Sequence, residues 1–394
     1  MSPRRILMVE ANEDGTAGGS HQSQFDLARS LDRSRYEPVA LFYQQNRYAD
    51  MLRALGIEVH VWEAERAQER PSPPPFRRVK QVSRWLGAIA RRARFLRRAR
   101  IDLVHLNNSP GVGYHDWLPA ARLTGRPCIV HAQMYFAQPT RVLWSRLIQR
   151  FDRYIAISRT VADYLAEQRG IPRDRIVTVY HATDHEGLSA KVRRPPTEVR
   201  TELGLTNGTA LVTMVGHLRA WKGQDVVLDA LARLEPAVRS RLRVVFAGGP
   251  GPGAAPYIER LQQTVRREGL ADCVTFLGER TDVIDLMNAA EIVLHASTIP
   301  EPFGIVVIEG MALGKPVVAS CLGGPAEIIT PGAGVLFDPK RPEELARALR
   351  DLLDDPARRQ ALGSAARKRV RAFGLRQNVE GVERVYDQLL GPGA

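Results

Sequence analysis

The sequence predicts an α/β protein with two doubly wound, Rossmann-like parallel-sheet domains, and three observations support this prediction. The chain has 394 residues, a length that favours two domains rather than one. Short apolar runs alternate with helical stretches, which is typical of parallel βαβ units. The alternation restarts after a polar stretch at residues 182–205, whose paired prolines suit a connection between domains.

The first half begins with an apolar run at residues 4–11, which predicts a first strand. A turn with the sequence "NEDGTAGGS" follows, and residues 21–32 then have the pattern of a helix. Further strands are predicted at residues 36–43, 56–62, 101–108, 126–133 and 153–158. In the second half, apolar runs predict a second set of strands at residues 210–218, 242–249, 273–278, 290–297, 315–320 and 334–337.

The composition is that of a folded protein, with 44% hydrophobic and 25% charged residues. No apolar run approaches the roughly 20 residues that a membrane span requires. The run at residues 6–9 is too short for the core of a signal peptide, so we expect a cytoplasmic protein. Cys128, Cys273 and Cys321 are odd in number and far apart, which indicates neither a disulfide framework nor a zinc site.

The formal net charge of +13 is concentrated at residues 77–100, which contain ten basic residues and no acidic one. Apolar residues in this segment recur at helical spacing, so it predicts a cationic amphipathic helix: Val82, Trp85, Leu86, Ile89, Ala93 and Leu96. Either its apolar stripe packs on a domain with the arginines in water, or the helix contacts anionic lipid headgroups at the inner face of the membrane. No nucleic-acid recognition module accompanies the charge, so we expect no nucleic-acid partner.

None of the three glycine-rich turns of the chain has the sequence of a known phosphate loop. The turn at residues 310–316 has the wrong glycine spacing for a P-loop, and Pro316 stands where Ser or Thr would bind magnesium. The turns at residues 15–20 and 247–255 lack the G-x-G-x-x-G pattern. This counts against a dinucleotide-dependent oxidoreductase.

The strongest signal comes from three segments of the second half, at residues 215–231, 274–297 and 301–329. In this order and spacing they resemble the family 4 glycosyltransferases, which are retaining enzymes of the GT-B fold that take a sugar from a nucleotide sugar. The E-x7-E pair of that family is matched by Glu301 and Glu309. The resemblance covers nearly the whole chain.

The resemblance implies two domains that face a central cleft. Residues 1–185 would form an acceptor-binding domain, and residues 186–373 a donor-binding domain. Residues 374–394 resemble the family's C-terminal helix, which returns to the N-terminal domain.

The resemblance also implies roles for single residues. Glu301 would hold the donor sugar, Glu309 the ribose, and Lys222 the phosphates. His131, at the end of a predicted strand, matches the histidine that contacts the transferring sugar. We therefore expect His131, Glu301 and Lys222 to be catalytic, with no enzyme nucleophile.

A leaving nucleoside diphosphate develops negative charge, which the protein must stabilise. The chain has no D-x-D sequence, so we expect neither a metal nor another cofactor. Pro302 favours a helical first turn, so the amides of Phe303, Gly304 and Ile305 are predicted to point at the diphosphate. If a helix ran from Glu301 onwards, eight residues would span about 12 Å, comparable with the distance from sugar to ribose.

One departure from the family concerns the phosphate-binding turn. The family usually has an arginine where this chain has His217, and Arg219 lies two positions further on. Either residue would supply the missing contact, and with His217 phosphate binding would depend on pH near neutrality. We also expect Gly19 to bring its amide close to the donor or acceptor, and Arg280 to lie at the donor site.

The predicted function is retaining transfer of a sugar from a UDP- or GDP-sugar to an acceptor hydroxyl in bacterial glycan, glycolipid or glycoconjugate biosynthesis. The acceptor would be a sugar, a lipid-linked molecule or a small molecule. One alternative is a nucleotide-sugar epimerase or hydrolase on the same fold. Another is a catalytically silent, membrane-associated protein that binds a nucleotide sugar.

Overall fold

The computed structural model describes residues 2–10, 19–62, 74–108, 116–135, 147–251 and 253–391. The chain divides into two compact units. The first consists of the described parts of Met1–Ala182 and of Leu375–Ala394, and the second is Thr183–Gly374. Each unit contains one parallel sheet with helices, which confirms the predicted fold class.

The described part of the first unit contains a seven-stranded sheet in the order β3-β2-β1-β4-β5-β6-β7. Its strands are β1 (Arg4–Glu10), β2 (Tyr36–Phe42), β3 (Glu58–Val61), β4 (Leu103–Asn108), β5 (Cys128–Ala132), β6 (Arg153–Ala156) and β7 (Ile176–Thr178). The helices between them are α1 (Gly19–Ser30), α2 (Arg47–Ala54), α3 (Pro74–Arg98), α4 (Trp117–Leu123) and α5 (Arg159–Arg169). The central strands are buried on both faces, as the continuous apolar runs predict.

The second unit contains a six-stranded sheet in the order β10-β9-β8-β11-β12-β13. Its strands are β8 (Ala210–Val215), β9 (Leu242–Ala247), β10 (Val274–Gly278), β11 (Ile292–His295), β12 (Val317–Ser320) and β13 (Val335–Phe337). The helices are α6 (His185–Ala190), α7 (Pro196–Glu202), α8 (Gln224–Ala232), α9 (Pro236–Arg239), α10 (Ala255–Arg267), α11 (Val283–Ala289), α12 (Ile305–Ala312), α13 (Gly324–Ile328), α14 (Pro342–Asp354) and α15 (Pro356–Arg369). All the strands predicted for this half are present.

The last helix, α16 (Leu375–Leu390), belongs to the first unit. Its buried residues Val382 and Tyr386 share a core with Phe25 of α1. Glu383 accepts a hydrogen bond of 2.8 Å from the backbone amide of Asp32. The helix therefore covers one face of the first sheet although it is separated from that sheet in sequence.

The arginine-rich helix α3 does not have one continuous packed stripe. Ile89, Ala93 and Leu96 are buried, whereas Val82 and Leu86 are 55% and 54% exposed. The side chains of residues 77–81 lie outside the described part. The alternative of a packed helix therefore applies to its C-terminal part, and contact with a membrane stays a prediction.

Arg92 corrects the expectation that the arginines of α3 lie in water. Its guanidinium is buried, lies 2.9 Å from Asp116 and sits over the rings of Trp62 and Trp117, at 5.7 and 5.1 Å from their centroids. Burial raises the pKa of Asp116, and the charge of Arg92 opposes that effect. This pair anchors α3 beside α4.

Among the helices of the described ranges, none is both long and apolar enough to cross a membrane.

Replacing Arg92 with Ala should lower the free energy of unfolding by about 3 kcal/mol, because Asp116 would remain buried without its partner. Urea denaturation measures this change. Arg94, which is exposed on the same helix, supplies the matched control, and Arg94→Ala should change stability by less than about 0.5 kcal/mol. Equal effects of the two substitutions would contradict this account of Arg92.

Candidate functional site

The candidate site of the second unit lies at the carboxyl end of β11, between β8 and β12 in the middle of the sheet. In parallel α/β sheets, ligands bind at the carboxyl ends of strands. The loop that follows β11 reaches Glu301, which forms a parallel bridge with Gly323. Gly324 donates its backbone amide to the carbonyl oxygen of Glu301 at 2.8 Å, so the backbone at Glu301 is fixed.

The carboxylate of Glu301 is the centre of a polar cluster. Its Oε1 lies 2.5 Å from Nζ of Lys222 and 3.2 Å from Nε2 of His295, and it accepts a hydrogen bond from the hydroxyl of Ser297. Glu301 is 8% exposed. Burial alone would raise the pKa of Glu301, but His295 and Lys222 outweigh it and hold the pKa well below its usual value. The carboxylate is therefore ionised and can accept hydrogen bonds.

Lys222 lies close to Glu301 because a hydrogen bond joins the loop that contains Lys222 to the loop that follows β11. The amide of Thr298 donates to the carbonyl oxygen of Trp221 at 2.8 Å, and Nζ of Lys222 lies 4.4 Å from the centroid of the Trp221 ring. Gly223 has a φ of +77°, and a Cβ there would lie 2.0 Å from the carbonyl oxygen of Ala296. Only glycine therefore permits this approach of the two backbones.

The helix after Glu301 starts later than Pro302 predicts. Gly304, with a φ of +116°, is the N-cap, and α12 begins at Ile305. The amides of Gly304, Ile305 and Val306 have no acceptor within the described residues, as expected of a helix N-terminus. Three unpaired donors thus follow the charged cluster directly in the chain.

One sequence-based expectation about this segment was wrong. Glu301 precedes the helix, so helical rise does not give its separation from Glu309. Phe303 also lies outside the helix, and its buried ring packs edge-on against Phe373, with 5.8 Å between the centroids. The cause is Gly304, whose left-handed conformation interrupts the turn that Pro302 favours.

Glu309 lies within α12 and is partly buried. Its carboxyl group makes no hydrogen bond or ion pair with the described part of the chain. Burial raises the pKa of Glu309 to about 7, and Lys191 opposes the increase. At neutral pH this carboxyl group therefore changes between an acid and a carboxylate.

His217 and Arg219 follow β8 in the predicted phosphate-binding turn. His217 is exposed, and its carbonyl oxygen accepts a hydrogen bond of 3.1 Å from Gln224. The side chain of Arg219 lies against Gly251. A Cβ added to Gly251 would be 2.2 Å from Nε of Arg219. The Nε atom is buried without a hydrogen-bond partner among the described residues. The structure therefore holds Arg219 against the backbone of a second glycine turn.

Arg280 has a different environment from the one expected. Its guanidinium donates to both oxygens of Asp282 at 2.8 and 2.7 Å and to Glu202 at 2.8 Å. These hydrogen bonds raise the pKa of Arg280. Arg194 joins the same two acids, so the structure places Arg280 in an ion-pair network and not in the cluster around Glu301.

His131 and Gly19 belong to the first unit. His131 ends β5, is 1% exposed, and neither of its ring nitrogens has a hydrogen-bond partner within the described ranges. Burial, followed by the effects of His105 and His181, places the pKa of His131 well below its usual value, so the ring is neutral. Gly19 begins α1 and is exposed. Residues 15–18 of the predicted turn lie outside the described part.

The sequence reasoning missed His295 and Ser297, which contact Glu301. The available signal was their position at the carboxyl end of a buried strand, in the stretch "HAS". Within the described ranges, no group of three or more His, Cys, Asp or Glu side chains is placed to hold a metal ion.

Comparison with known families identifies both halves of the chain. The profile described as "Glycosyl transferases group 1" matches residues 197–369. The profile described as "Glycosyltransferase Family 4" matches residues 17–186. Both halves of the chain are thus similar to glycosyltransferases. The cluster around Glu301 thus lies within the group 1 match, and His131 lies within the family 4 match.

Curated relatives carry the name D-inositol 3-phosphate glycosyltransferase. The protein from Streptomyces avermitilis is 32% identical over 298 residues, which cover 69% of this chain and 62% of the relative. The protein from Kineococcus radiotolerans is 31% identical, with 61% of this chain and 58% of the relative covered. These alignments span about three fifths of the relatives. That from Corynebacterium diphtheriae is 27% identical over 98% of this chain and 95% of the relative.

Solved structures share the fold over nearly the whole chain. Anabaena HepE in complex with UDP and glucose has a TM-score of 0.77 and 25% identity, with 98% of this chain and 100% of that chain covered. A glycosyltransferase from Rickettsia africae has a TM-score of 0.82 at 19% identity, covering 99% of this chain and 100% of its own. The second likeness concerns the fold alone.

Gly223→Ala should destabilise the protein by at least about 2 kcal/mol, because the added Cβ would overlap the carbonyl oxygen of Ala296. Gly253→Ala is the matched control, since Gly253 also has a positive φ of +70° but nothing within 4 Å of a Cβ. Gly253→Ala should lower the free energy of unfolding only by the backbone strain, about 1 kcal/mol. Chemical denaturation of the two variants tests the difference, and a Gly223→Ala protein as stable as Gly253→Ala would refute it.

Proposed function

We propose that the protein transfers a sugar from a UDP- or GDP-sugar to an acceptor hydroxyl with retention of the anomeric configuration. The observation that carries this proposal is the buried cluster of Glu301, Lys222, His295 and Ser297, followed by unpaired amides at the start of α12. It combines an acceptor for sugar hydroxyls with positive charge and backbone donors for phosphates. The spacing of Glu301 and Glu309 corresponds to the E-x7-E pair of the family 4 enzymes.

The leaving diphosphate is stabilised by fixed groups of the chain. Lys222 supplies a positive charge, and the amides of Gly304 and Ile305 supply hydrogen bonds at a helix N-terminus. Arg219, which has no ion-pair partner among the described residues, replaces the usual arginine of the turn, and His217 lies beside it. We propose that the reaction needs no metal ion.

The ion pair between Lys222 and Glu301 belongs to the ligand-free state in this mechanism. A diphosphate competes with Glu301 for the ammonium group of Lys222, because both are anionic acceptors of charge-assisted hydrogen bonds. When Lys222 turns to the phosphates, Glu301 is released to accept a hydroxyl of the donor sugar. Ser297 and His295 continue to hold the carboxylate in place.

Glu309 is the proposed acceptor for ribose hydroxyls, since the residue is only partly buried and its carboxyl group makes no hydrogen bond with the described residues. His131 is proposed to contact the transferring sugar as a neutral imidazole. No enzyme nucleophile is required, because attack and departure occur on the same face of the sugar.

The choice of donor is supported by Anabaena HepE, whose structure contains UDP and glucose. The proposed acceptor is a molecule with a free hydroxyl group. The curated relatives are named for one such molecule, a phosphorylated cyclitol. The exposed part of α3 favours an acceptor or a location at an anionic membrane surface, where Val82 and Leu86 would insert between arginines.

Glu301→Gln should separate binding of the nucleotide from transfer of the sugar. Because Lys222 loses its anionic partner, affinity for UDP or GDP should rise about threefold or more, while turnover falls on the order of 100-fold. Lys222→Ala should lower both. Calorimetry with UDP and GDP, together with release of nucleotide from the matching nucleotide sugars, measures the two quantities.

The exposed Lys340 provides the control for this experiment, and Lys340→Ala should change neither quantity. If Glu301→Gln weakened nucleotide binding as much as Lys222→Ala, the proposed exchange of partners would be wrong. Normal turnover in Lys222→Ala would remove that residue from the reaction.

Glu309 should make nucleotide affinity depend on pH. The folded-state pKa of Glu309, about 7, exceeds the ordinary value of 4.5. The contribution of this group to the stability of the fold is therefore fully present below pH 4.5 and is lost as the pH rises through 7. Its carboxylate form accepts ribose hydroxyls, so affinity for UDP or GDP should increase between pH 6 and pH 8, by up to about tenfold. Glu309→Gln should remove this component, and an identical pH profile in the variant would exclude the ribose role.

Vesicle binding tests the contact with the membrane. The protein should sediment with anionic vesicles at moderate salt but not with neutral ones. The double variant Val82→Ser and Leu86→Ser should bind about tenfold more weakly. Leu123→Ser, at a position that is 62% exposed on α4, is the control and should bind normally. Failure of the native protein to bind anionic vesicles would remove this part of the proposal.

A further inference from the structure

A layered polar network lies in the first unit where β1 and β4 meet. These two strands are the point at which the order of the sheet reverses, and ligands of doubly wound folds bind outside the carboxyl ends of such strands. Glu10 ends β1 in register with Asn107 of β4, and Asn107 is in register with His131 of β5. Three polar residues thus form one row across the carboxyl edge of the sheet.

The deepest layer of the network is a carboxylate with two amides. Glu10 is 0% and Asn107 is 2% exposed. Nδ2 of Asn107 donates to Oε2 of Glu10 at 2.7 Å and to the carbonyl oxygen of Ser20 at 2.8 Å, while Asn108 donates to Oε1 at 3.4 Å. Because the backbone carbonyl oxygen of Ser20 only accepts hydrogen bonds, its contact with Nδ2 fixes the amino group of Asn107 on the side of Ser20 and Glu10.

The orientation of Asn107 in turn determines the orientation of the Gln133 side chain. The amino group of Asn107 faces Glu10, so its carbonyl oxygen faces away and accepts a hydrogen bond from Nε2 of Gln133 at 3.0 Å. Nε2 of Gln133 also donates to the hydroxyl oxygen of Ser23 at 3.0 Å. Both hydrogens of the Gln133 amino group are used in these two hydrogen bonds, so only its carbonyl oxygen Oε1 can bind a ligand. No described residue donates a hydrogen bond to that oxygen.

Gln133 is partly exposed, whereas His131, two residues before it on the same side of the sheet, is buried. Both ring nitrogens of His131 lack hydrogen-bond partners in the described part of the chain. A buried imidazole without partners is costly unless a ligand supplies them. An oriented hydrogen-bond acceptor and an imidazole without described partners therefore occur two residues apart at the carboxyl end of β5.

We infer that Gln133, positioned by Glu10 and Asn107, recognises a hydroxyl group of a neutral polyol, either a sugar or a cyclitol, beside His131. A phosphate at neutral pH has mainly acceptor oxygens, which cannot bind to the carbonyl oxygen of Gln133. The part of the acceptor bound here is thus its ring hydroxyls, and any phosphate of the acceptor lies elsewhere.

This inference rests on the proposed function, because the polyol is taken to be the acceptor of the transfer. Saturation-transfer NMR with the full chain tests it directly, using myo-inositol and methyl α-glucoside as neutral polyols. Each ligand is measured with and without UDP. Inorganic phosphate is added as the competitor, and this comparison requires no variant.

Gln133→Ala removes the oriented acceptor and should weaken polyol binding about fivefold, which corresponds to one hydrogen bond. Glu10→Gln should weaken binding as well, because a glutamine can donate to Asn107 and releases the orientation of both amides. Gln45→Ala, at an exposed position of the same unit, is the control and should bind as the native chain does. Melting temperatures of the variants establish that each is folded.

The inference is supported if polyols bind the native protein and Gln45→Ala, bind Gln133→Ala more weakly, and resist competition by phosphate. It is overturned if Gln133→Ala binds polyols normally, if phosphate displaces them, or if polyols fail to bind while UDP does. Polyol binding without any binding of UDP or GDP would instead support this site and count against the proposed sugar transfer.

Discussion

The candidate donor site depends on one interaction, the contact of the buried Glu301 carboxylate with Lys222. A carboxylate in this position is tolerated because Lys222, His295 and Ser297 all lie within hydrogen-bonding distance or close to it. The interaction also joins two segments that are 79 residues apart in sequence. The glycines around it follow from the same constraint, because Gly223 and Gly323 bring the backbones close enough for these side chains to meet.

The polar groups at the carboxyl ends of the two sheets differ in their chemistry. In the second unit, positive charge and free amides surround an ionised carboxylate, an arrangement that suits phosphates and a sugar. In the first, Glu10, Asn107 and Gln133 form a chain of oriented neutral amides on a carboxylate, which suits hydroxyl groups. Both groups lie at carboxyl ends of strands, where parallel sheets leave space for ligands.

The sequence was sufficient for the two sheets and for choosing Glu301 and Lys222, which the structure brings together, but not for their neighbours His295 and Ser297 or for the local geometry. Buried parallel strands produce continuous apolar runs, so most strands were predicted. The short edge strand β7 is only partly buried and was missed. The interruption at Gly304 and the pairing of Arg280 with Glu202, 78 residues away, depend on tertiary contacts that no local pattern contains. The burial of Arg92 likewise depends on Asp116 and Trp117.

The most direct test of the account is the melting temperature of the protein with UDP-, GDP-, ADP- and dTDP-sugars, each with and without EDTA. A ligand that binds the folded state raises the melting temperature in proportion to its occupancy and affinity. The account predicts a selective increase with a UDP- or GDP-sugar that EDTA does not change. No increase with any of these donors, or an increase that EDTA abolishes, would contradict a metal-free nucleotide-sugar site around Glu301.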